Sequence, residues 1–150
     1  MPSRPTIDAT ALDELGRFFA GKNYECGGIL GGKDYKHISV YSHDTDSYCD
    51  HNEYRPNTEH LSHIVEDWFA KGLVMLGFVH SHPPHASSLS SADVLYAKEF
   101  LRLNTTVPGI YMGIVTNDQL FLYFLMRKNS RVPDEEVYIH EKYIYPIAIH

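Results

Sequence analysis

The residues of this chain best suited to chemistry are two histidines two positions apart and a carboxylate eleven residues further on. They are His80, His82 and Asp93. Imidazole nitrogens and a carboxylate oxygen are ligands that zinc accepts, and three protein ligands leave the fourth tetrahedral position open for water. A closed structural zinc site uses four protein ligands instead. The set therefore predicts one catalytic zinc ion and hydrolytic chemistry.

The chain around the two histidines predicts how they reach one ion. Leu73 to Val79 is a continuous apolar run, which favours a central strand covered on both faces. Alternate residues of an extended backbone point to the same side, so His80 and His82 would face one ion from the end of that strand. Pro83 favours an extended backbone at His82.

Ser90 and Asp93 have two interpretations. A serine followed three residues later by an acid is a capping box, which begins a helix by satisfying its free backbone N–H groups. We expect that helix at Ser91 to Leu103. Ser90 can also cap the helix through one lone pair and donate its proton to a reacting group, so both interpretations remain open.

Hydrolysis at a zinc ion also needs a base that accepts the proton of water, and Glu25 is the candidate. It lies in the segment Tyr24 to Gly32, which has the character of a strand and contains four glycines. Glutamate is depleted in strands, so its presence here favours a functional role. The alternative is an acid on an edge strand that faces water.

Glu25 within Glu-Cys-Gly-Gly-Ile-Leu-Gly, taken with His80-Ser81-His82-Pro83, Ser90 and Asp93, resembles the JAMM motif. This motif marks the MPN-plus (JAB-domain) zinc metalloproteases, and the compact length resembles their prokaryotic-type members. The resemblance extends from about Tyr24 to Leu125. It implies an α/β (α+β) fold like that of cytidine deaminases, with a mixed curved sheet flanked by helices.

The resemblance also implies a role for each motif residue. His80, His82 and Asp93 would bind one Zn²⁺ ion. Glu25 would hold the catalytic water and move its proton. Ser90 would hydrogen-bond the oxyanion of the tetrahedral intermediate.

The same resemblance implies a function and a protein partner. The chain would be a zinc-dependent peptidase or isopeptidase that hydrolyses the bond after the C-terminus of a ubiquitin-like protein, in deconjugation or precursor maturation. A related alternative is the release of an amino acid such as cysteine from a ubiquitin-fold sulfur-carrier protein. An alternative of another class is a non-catalytic MPN scaffold that only binds partners.

The remaining pattern predicts a single domain over residues 1–150, in which helices pack on a mixed sheet. Asn117-Asp118 is a hairpin turn signal, and Thr58 is a candidate N-cap for a helix that Gly72 closes. A further helix is expected at about Asp8 to Ala20. The segment Ser42 to Asn57 reads as a surface loop that ends in a short extended piece. The other expected strands are Tyr24–Gly32, Lys36–Tyr41, Gly109–Val115, Gln119–Met126 and Glu136–Tyr143.

Composition excludes some partners and predicts a compartment. The formal net charge is -6 and no basic run is present, which argues against binding to a nucleic-acid backbone. No apolar segment has the length of a membrane span, and the N-terminus lacks the apolar core of a signal peptide. Two cysteines are too few for a disulfide framework, so we expect a cytoplasmic protein.

Other reactive side chains have plainer interpretations. Cys26, next to the proposed base, is expected to be a buried core thiol. His43, Cys49 and His51 fit no standard metal-ligand spacing. His85 is expected to be an exposed loop residue near the site.

Overall fold

The computed structural model describes residues 4–19, 25–45, 47–49, 54–83, 86–128 and 136–147. The helices of this part of the chain are α1 (Ala9–Phe19), α2 (Thr58–Ala70) and α3 (Ser91–Leu103). The strands are β1 (Thr6–Ile7), β2 (Gly27–Gly32), β3 (His37–Ile38), β4 (Val40–His43), β5 (Tyr48–Cys49), β6 (Tyr54–Arg55), β7 (Val74–Ser81), β8 (Gly109–Thr116), β9 (Gln119–Arg127) and β10 (Val137–Pro146).

Six of the strands form one mixed sheet in the order β10-β9-β8-β7-β2-β4. Strand β7 pairs antiparallel with β2 and parallel with β8. A parallel pair requires a crossover connection, which α3 provides. The predicted central position of the apolar run is confirmed, although β7 continues through His80 to Ser81. The first histidine therefore belongs to the strand, and His82 follows it directly.

Helices cover both faces of this sheet. Alternate residues of β9 show the division: Leu120, Leu122 and Phe124 pack in the core that includes α1, whereas Phe121, Tyr123 and Leu125 pack in the core that includes α3. Helix α2 packs on the same face as α3, over Ile29 and Phe78. The predicted class, a mixed sheet flanked by helices, is confirmed.

Two turn signals read from the sequence are confirmed. Asn117 and Asp118 have φ angles of 52° and 61°, the left-handed pair that a type I′ hairpin needs. Gly72 has φ of 80°, and its N–H donates to the carbonyl of Phe69, so it ends α2 as predicted.

The N-cap of α2 is one residue earlier than predicted. Asn57, rather than Thr58, has the extended backbone of a cap, and its side chain accepts a hydrogen bond from the N–H of His60. Thr58 is the first residue of the helix. Helix α3 matches the predicted bounds, and Ser90 and Asp93 form both hydrogen bonds of the capping box.

The predicted single strand Lys36–Tyr41 is wrong in detail, because the two short strands β3 and β4 divide that segment. Strand β3 pairs in parallel with β1 at the N-terminus, and β4 pairs with β2 in the main sheet. The segment predicted as a surface loop contains the end of β4 and the two-stranded sheet β5-β6. Strand β2 begins at Gly27, so Glu25 and Cys26 immediately precede it, and Tyr24 lies outside the described residues.

No helix among the described residues has both the length and the apolar character needed to cross a bilayer.

Candidate metal centre

His80, His82 and Asp93 converge at the carboxyl end of β7. Nε2 of His80 lies 2.8 Å from Nε2 of His82 and 3.0 Å from Oδ1 of Asp93. Nε2 of His82 lies 3.5 Å from Oδ2 of Asp93. The three side chains are 10–13% exposed, so the cluster is shielded but reachable from solvent. The structure therefore brings together the three residues that the sequence predicts as ligands.

These separations fit tetrahedral coordination of one metal ion. Zinc bonds to nitrogen and carboxylate oxygen are about 2.0–2.2 Å long, which places neighbouring ligand atoms about 3.3 Å apart at tetrahedral angles. The observed separations of 2.8–3.5 Å bracket that value. Among the described residues this is the one group of three or more His, Cys, Asp or Glu side chains close enough to hold a metal ion. The donor set, two imidazoles and one carboxylate, suits zinc chemically.

The strand and the helix place the ligands on one side of the sheet. Phe78 and His80 share a face of β7, and Phe78 packs among the residues covered by α2 and α3. Helix α3 lies on that face and presents Asp93 from its first turn. A ligand at this end of the helix is held by the backbone, because the N–H of Ser90 donates to Oδ2 of Asp93 over 2.8 Å.

Hydrogen bonds fix the loop between the second histidine and the helix. The carbonyl of Ala86 lies 3.0 Å from Nδ1 of His82, which leaves Nε2 free to act as the ligand atom. The hydroxyl of Tyr123 donates to the carbonyl of Ser87 over 2.6 Å, and that of Thr116 donates to the carbonyl of Pro83 over 3.0 Å. Side chains of β8 and β9 thereby hold this loop in place.

Electrostatics favour the ionised carboxylate that metal binding needs at Asp93, and they raise the pKa of His82. Burial raises the pKa of Asp93, but hydrogen bonds with His80 and His82 outweigh it and hold that pKa well below its usual value. Asp93 is therefore ionised at neutral pH. Burial lowers the pKa of His82, but the hydrogen bond and the charge of Asp93 raise it, and the hydrogen bond with the carbonyl of Ala86 and the charge of Glu25 add to the increase. The net pKa of His82 is raised.

Glu25 lies beside the ligand cluster. It lines the same cavity as His80, His82 and Asp93. The register between β2 and β7 pairs Gly27 with His80, and continuing it outward places Glu25 opposite His82. The position agrees with the predicted role of Glu25 as a base, and that role remains a prediction.

Ser81, to which sequence reasoning gave no role, fixes the register next to Glu25. Its Oγ accepts a hydrogen bond of 3.0 Å from the N–H of Cys26, and its own N–H donates to the carbonyl of Cys26 over 2.9 Å. Strand pairing therefore extends one residue beyond Gly27. The serine between the two histidines could have signalled this, because a short hydroxyl at a strand end is suited to a backbone partner.

Ser90 lies at the rim of the cavity. Its Oγ accepts from the N–H of Asp93 over 3.1 Å as the helix cap, and the residue also lines the cavity. An accepted bond leaves the hydroxyl proton available, so the capping role does not compete with the predicted contact to an oxyanion. That second role remains a prediction.

The cavity has a polar floor and apolar walls. Its volume is about 440 Å³. The ligand cluster and Glu25 form the floor. The walls come from β6, β7, α3, β8 and the segment between β6 and α2, and their residues are Tyr54, Pro56, Phe78, Val79, Tyr96 and Met112. Sequence reasoning did not single out the aromatic residues among them, because their contribution depends on long-range packing.

The remaining reactive residues can also be placed. Cys26 is a buried core residue, as predicted, Cys49 is half-buried, and neither is in a disulfide. His43 stacks on Phe18 with ring centroids 4.5 Å apart. His51 and His85 lie outside the described residues.

Comparisons with known proteins agree with this geometry. The model of a family described as prokaryotic homologues of the JAB domain matches residues 17–130, which include all five predicted site residues. Among solved structures, the chain is similar to the solution structure of protein DSY2949 from Desulfitobacterium hafniense, with a TM-score of 0.56 and 21% sequence identity. The similarity covers 91% of this chain and 89% of that one. No curated protein matches the sequence significantly.

Proposed function

The chain belongs to the prokaryotic homologues of the JAB domain, and on that premise we propose that it is a zinc-dependent peptidase or isopeptidase. Its substrate would be a ubiquitin-like protein, cleaved after its C-terminus. The observation that carries the proposal is the convergence of His80, His82 and Asp93 in one cavity with Glu25. A scaffold that only binds partners has no need of an acid beside such a cluster.

The ion that His80, His82 and Asp93 would hold supplies Lewis acidity, which makes water a usable nucleophile near neutral pH. Glu25 accepts a proton from the attacking water as the water oxygen adds to the substrate carbonyl carbon. The same carboxyl group then returns the proton to the amine as the carbon–nitrogen bond breaks. The products are the free carboxylate of the ubiquitin-like protein and a free amine, and no covalent link to the enzyme forms.

Ser90 supports the developing charge in this proposal. The helix cap does not use the hydroxyl proton of Ser90, so this proton would form a hydrogen bond with the substrate carbonyl oxygen as that oxygen becomes negative. Removal of one such donor typically costs about 2.7–4 kcal/mol of transition-state stabilisation. Tyr54, Phe78 and Tyr96 line the cavity beside the ligand cluster, and the lower polarity that they create strengthens the polar interactions there.

The lining of the cavity supports an extended substrate tail. Aromatic residues lie beside the ligand cluster, and in this proposal they favour substrate residues without large side chains. Such a tail makes main-chain hydrogen bonds like those of an added strand. The C-terminus of a ubiquitin-like protein has this form, and so does that of a sulfur-carrier protein, which keeps cysteine release as the second candidate reaction.

The test compares the wild-type protein with Glu25→Gln on ubiquitin-like and sulfur-carrier proteins of the host, each extended at its C-terminus. We expect Glu25→Gln to retain one zinc ion per chain and the wild-type melting temperature, while kcat falls at least about 100-fold because the base is lost. Zinc content is measured by mass spectrometry of the intact metalloprotein. Glu141→Gln is the matched control, because Glu141 is an exposed acid on β10.

The outcomes separate the candidate functions. Turnover at the wild-type rate in Glu25→Gln would show that another group is the base. Hydrolysis confined to a carrier extended by cysteine would favour amino-acid release. A wild-type protein that binds partners without zinc and without turnover would identify a scaffold.

A further inference from the structure

Asp44 is a buried carboxylate outside the candidate metal centre. It follows β4 directly, its exposed fraction is only 1%, and its N–H donates to the carbonyl of Gly27 over 2.9 Å. Gly27 is the first residue of β2, two positions after Glu25, and it pairs with His80. The backbone of Asp44 is therefore attached to the strand that carries the predicted base.

One oxygen of this carboxylate holds the segment that leads into α2. Oδ2 accepts a hydrogen bond of 2.9 Å from the hydroxyl of Tyr54 and one of 2.8 Å from the N–H of Asn57. The other oxygen, Oδ1, is buried and has no hydrogen-bond partner among the described residues. An unsatisfied buried polar atom destabilises a folded protein, so the two hydrogen bonds at Oδ2 must offset that loss.

The hydrogen bonds at Oδ2 of Asp44 determine the position of the Tyr54 ring. The ring lies against the backbone of Gly27, where an added Cβ atom would be only 2.5 Å from Cε2 of Tyr54. The same ring lines the cavity together with Glu25 and Tyr96. Gly27 thus permits the close approach, and the hydroxyl contact with Asp44 fixes the far end of the ring.

We propose that Asp44 is a positioning residue for substrate selection, because it holds Tyr54 as the wall that narrows the cavity beside Glu25. The inference rests on the proposed function. A fixed ring next to the predicted base leaves room for a glycine in the substrate at the reacting bond and excludes residues with a side chain. Asp44 contacts neither the reacting atoms nor the ligand cluster, so its effect passes through Tyr54.

The chain offers a conservative variant that separates this role from a general effect on stability. In Asp44→Asn the amide oxygen still accepts both bonds now made by Oδ2, and the amide nitrogen replaces the unpartnered Oδ1. In Asp44→Ala both bonds are lost. Tyr54→Phe keeps the ring but loses the hydroxyl through which Asp44 acts.

The assay measures kcat/KM on a ubiquitin-like protein of the host joined through its last residue to 7-amino-4-methylcoumarin. Two forms are compared, one ending in glycine and one in alanine. One methyl group changes recognition in a pocket by about 10–200-fold, so the wild-type protein should prefer glycine by at least about tenfold. Asp44→Asn should keep that ratio. Asp44→Ala, Tyr54→Phe and the double variant should each reduce it by a similar factor, because the two residues act as one unit.

The proposal is overturned if Asp44→Ala lowers kcat/KM equally on both substrates, or if the effects of Asp44→Ala and Tyr54→Phe add in the double variant. Should Asp44→Ala fail to fold, Tyr54→Phe and Asp44→Asn decide the matter: the first must reduce the ratio and the second must keep it. Absence of turnover by the wild-type protein on both substrates refutes the proposed function and this inference with it. Turnover with an unchanged ratio in Tyr54→Phe refutes this inference alone.

Discussion

Arg127 is expected to be one of the most important single residues for stability, and its replacement is the most direct test of how the structure holds α3. The residue is the last of β9, and its exposed fraction is 7%. Its guanidinium group donates to three backbone carbonyls: that of Leu101 in the last turn of α3 over 2.6 Å, that of the C-cap Asn104 over 2.8 Å, and that of Val107 in the following loop over 2.7 Å. A positive charge at the C-terminal end of a helix is also favourable to the helix dipole.

The magnitude follows from these three bonds. A hydrogen bond to a charged group contributes about 1.5–3 kcal/mol, so the gross loss in Arg127→Met is about 4.5–9 kcal/mol. Methionine keeps much of the chain length and avoids the cost of burying a charge, which returns part of that loss. We therefore expect the free energy of unfolding to fall by about 3–5 kcal/mol, the range typical of breaking a buried charged network. For a chain of 150 residues this corresponds to a decrease of about 6–20 °C in Tm.

The measurement is urea denaturation followed by circular dichroism and by the fluorescence of Trp68, the single tryptophan, which is buried in α2. Lys128→Met is the matched control, because Lys128 is the next residue and its side chain is exposed. The control should change stability by no more than about 0.5 kcal/mol. A loss below about 1 kcal/mol in Arg127→Met, or an equal loss in both variants, would refute the reasoning that the three carbonyls depend on this cation.

Two further predictions concern the loop of the candidate metal centre and the start of α2. Tyr123→Phe removes the hydroxyl that holds the carbonyl of Ser87. Zinc affinity, measured by competition with a chelator, should then fall about 10-fold or more, as it does for other residues that orient ligands. An affinity equal to that of the exposed control Tyr138→Phe would contradict this prediction. Asn57→Ala should lower the free energy of unfolding by about 1 kcal/mol because the cap is lost, whereas Thr58→Ala should have little effect. A larger loss of unfolding free energy in Thr58→Ala than in Asn57→Ala, measured by urea denaturation, would show that Thr58 is the cap.

The features that the sequence predicted well are those determined by neighbouring residues. The capping box of α3 depends on Ser90 and Asp93 alone, and the hairpin turn depends on Asn117 and Asp118. The predicted ligand cluster needed only a strand, a loop and the first turn of a helix in sequence order. These local rules were sufficient for the bounds of α3 and for the convergence of His80, His82 and Asp93.

The features that the sequence did not predict depend on partners far along the chain. Asn57 and Thr58 are both residue types that cap helices well. In the structure Asn57 is the cap, and its N–H donates to the buried carboxylate of Asp44. The segment around Asp44 looks like a solvated loop because it is rich in polar residues, yet Asp44 itself is buried by Tyr54 and Gly27. Pairing of β3 with β1 likewise required knowledge of how the N-terminus returns to the sheet.

The order in which the candidate centre assembles follows from the crossover between β7 and β8. All three predicted ligands lie in one short segment that runs from the end of β7 into the first turn of α3, whereas Glu25 comes from the far side of the β2-β7 pairing. Closing the longer loop to bring in Glu25 spans roughly four times as many residues, which adds about 1.2 kcal/mol of chain entropy. We therefore expect a partly unfolded chain that has lost β2 to keep the three predicted ligands in one continuous segment. In the proposed function, metal binding would depend on that segment alone, whereas hydrolysis would also require β2 to dock and bring in Glu25.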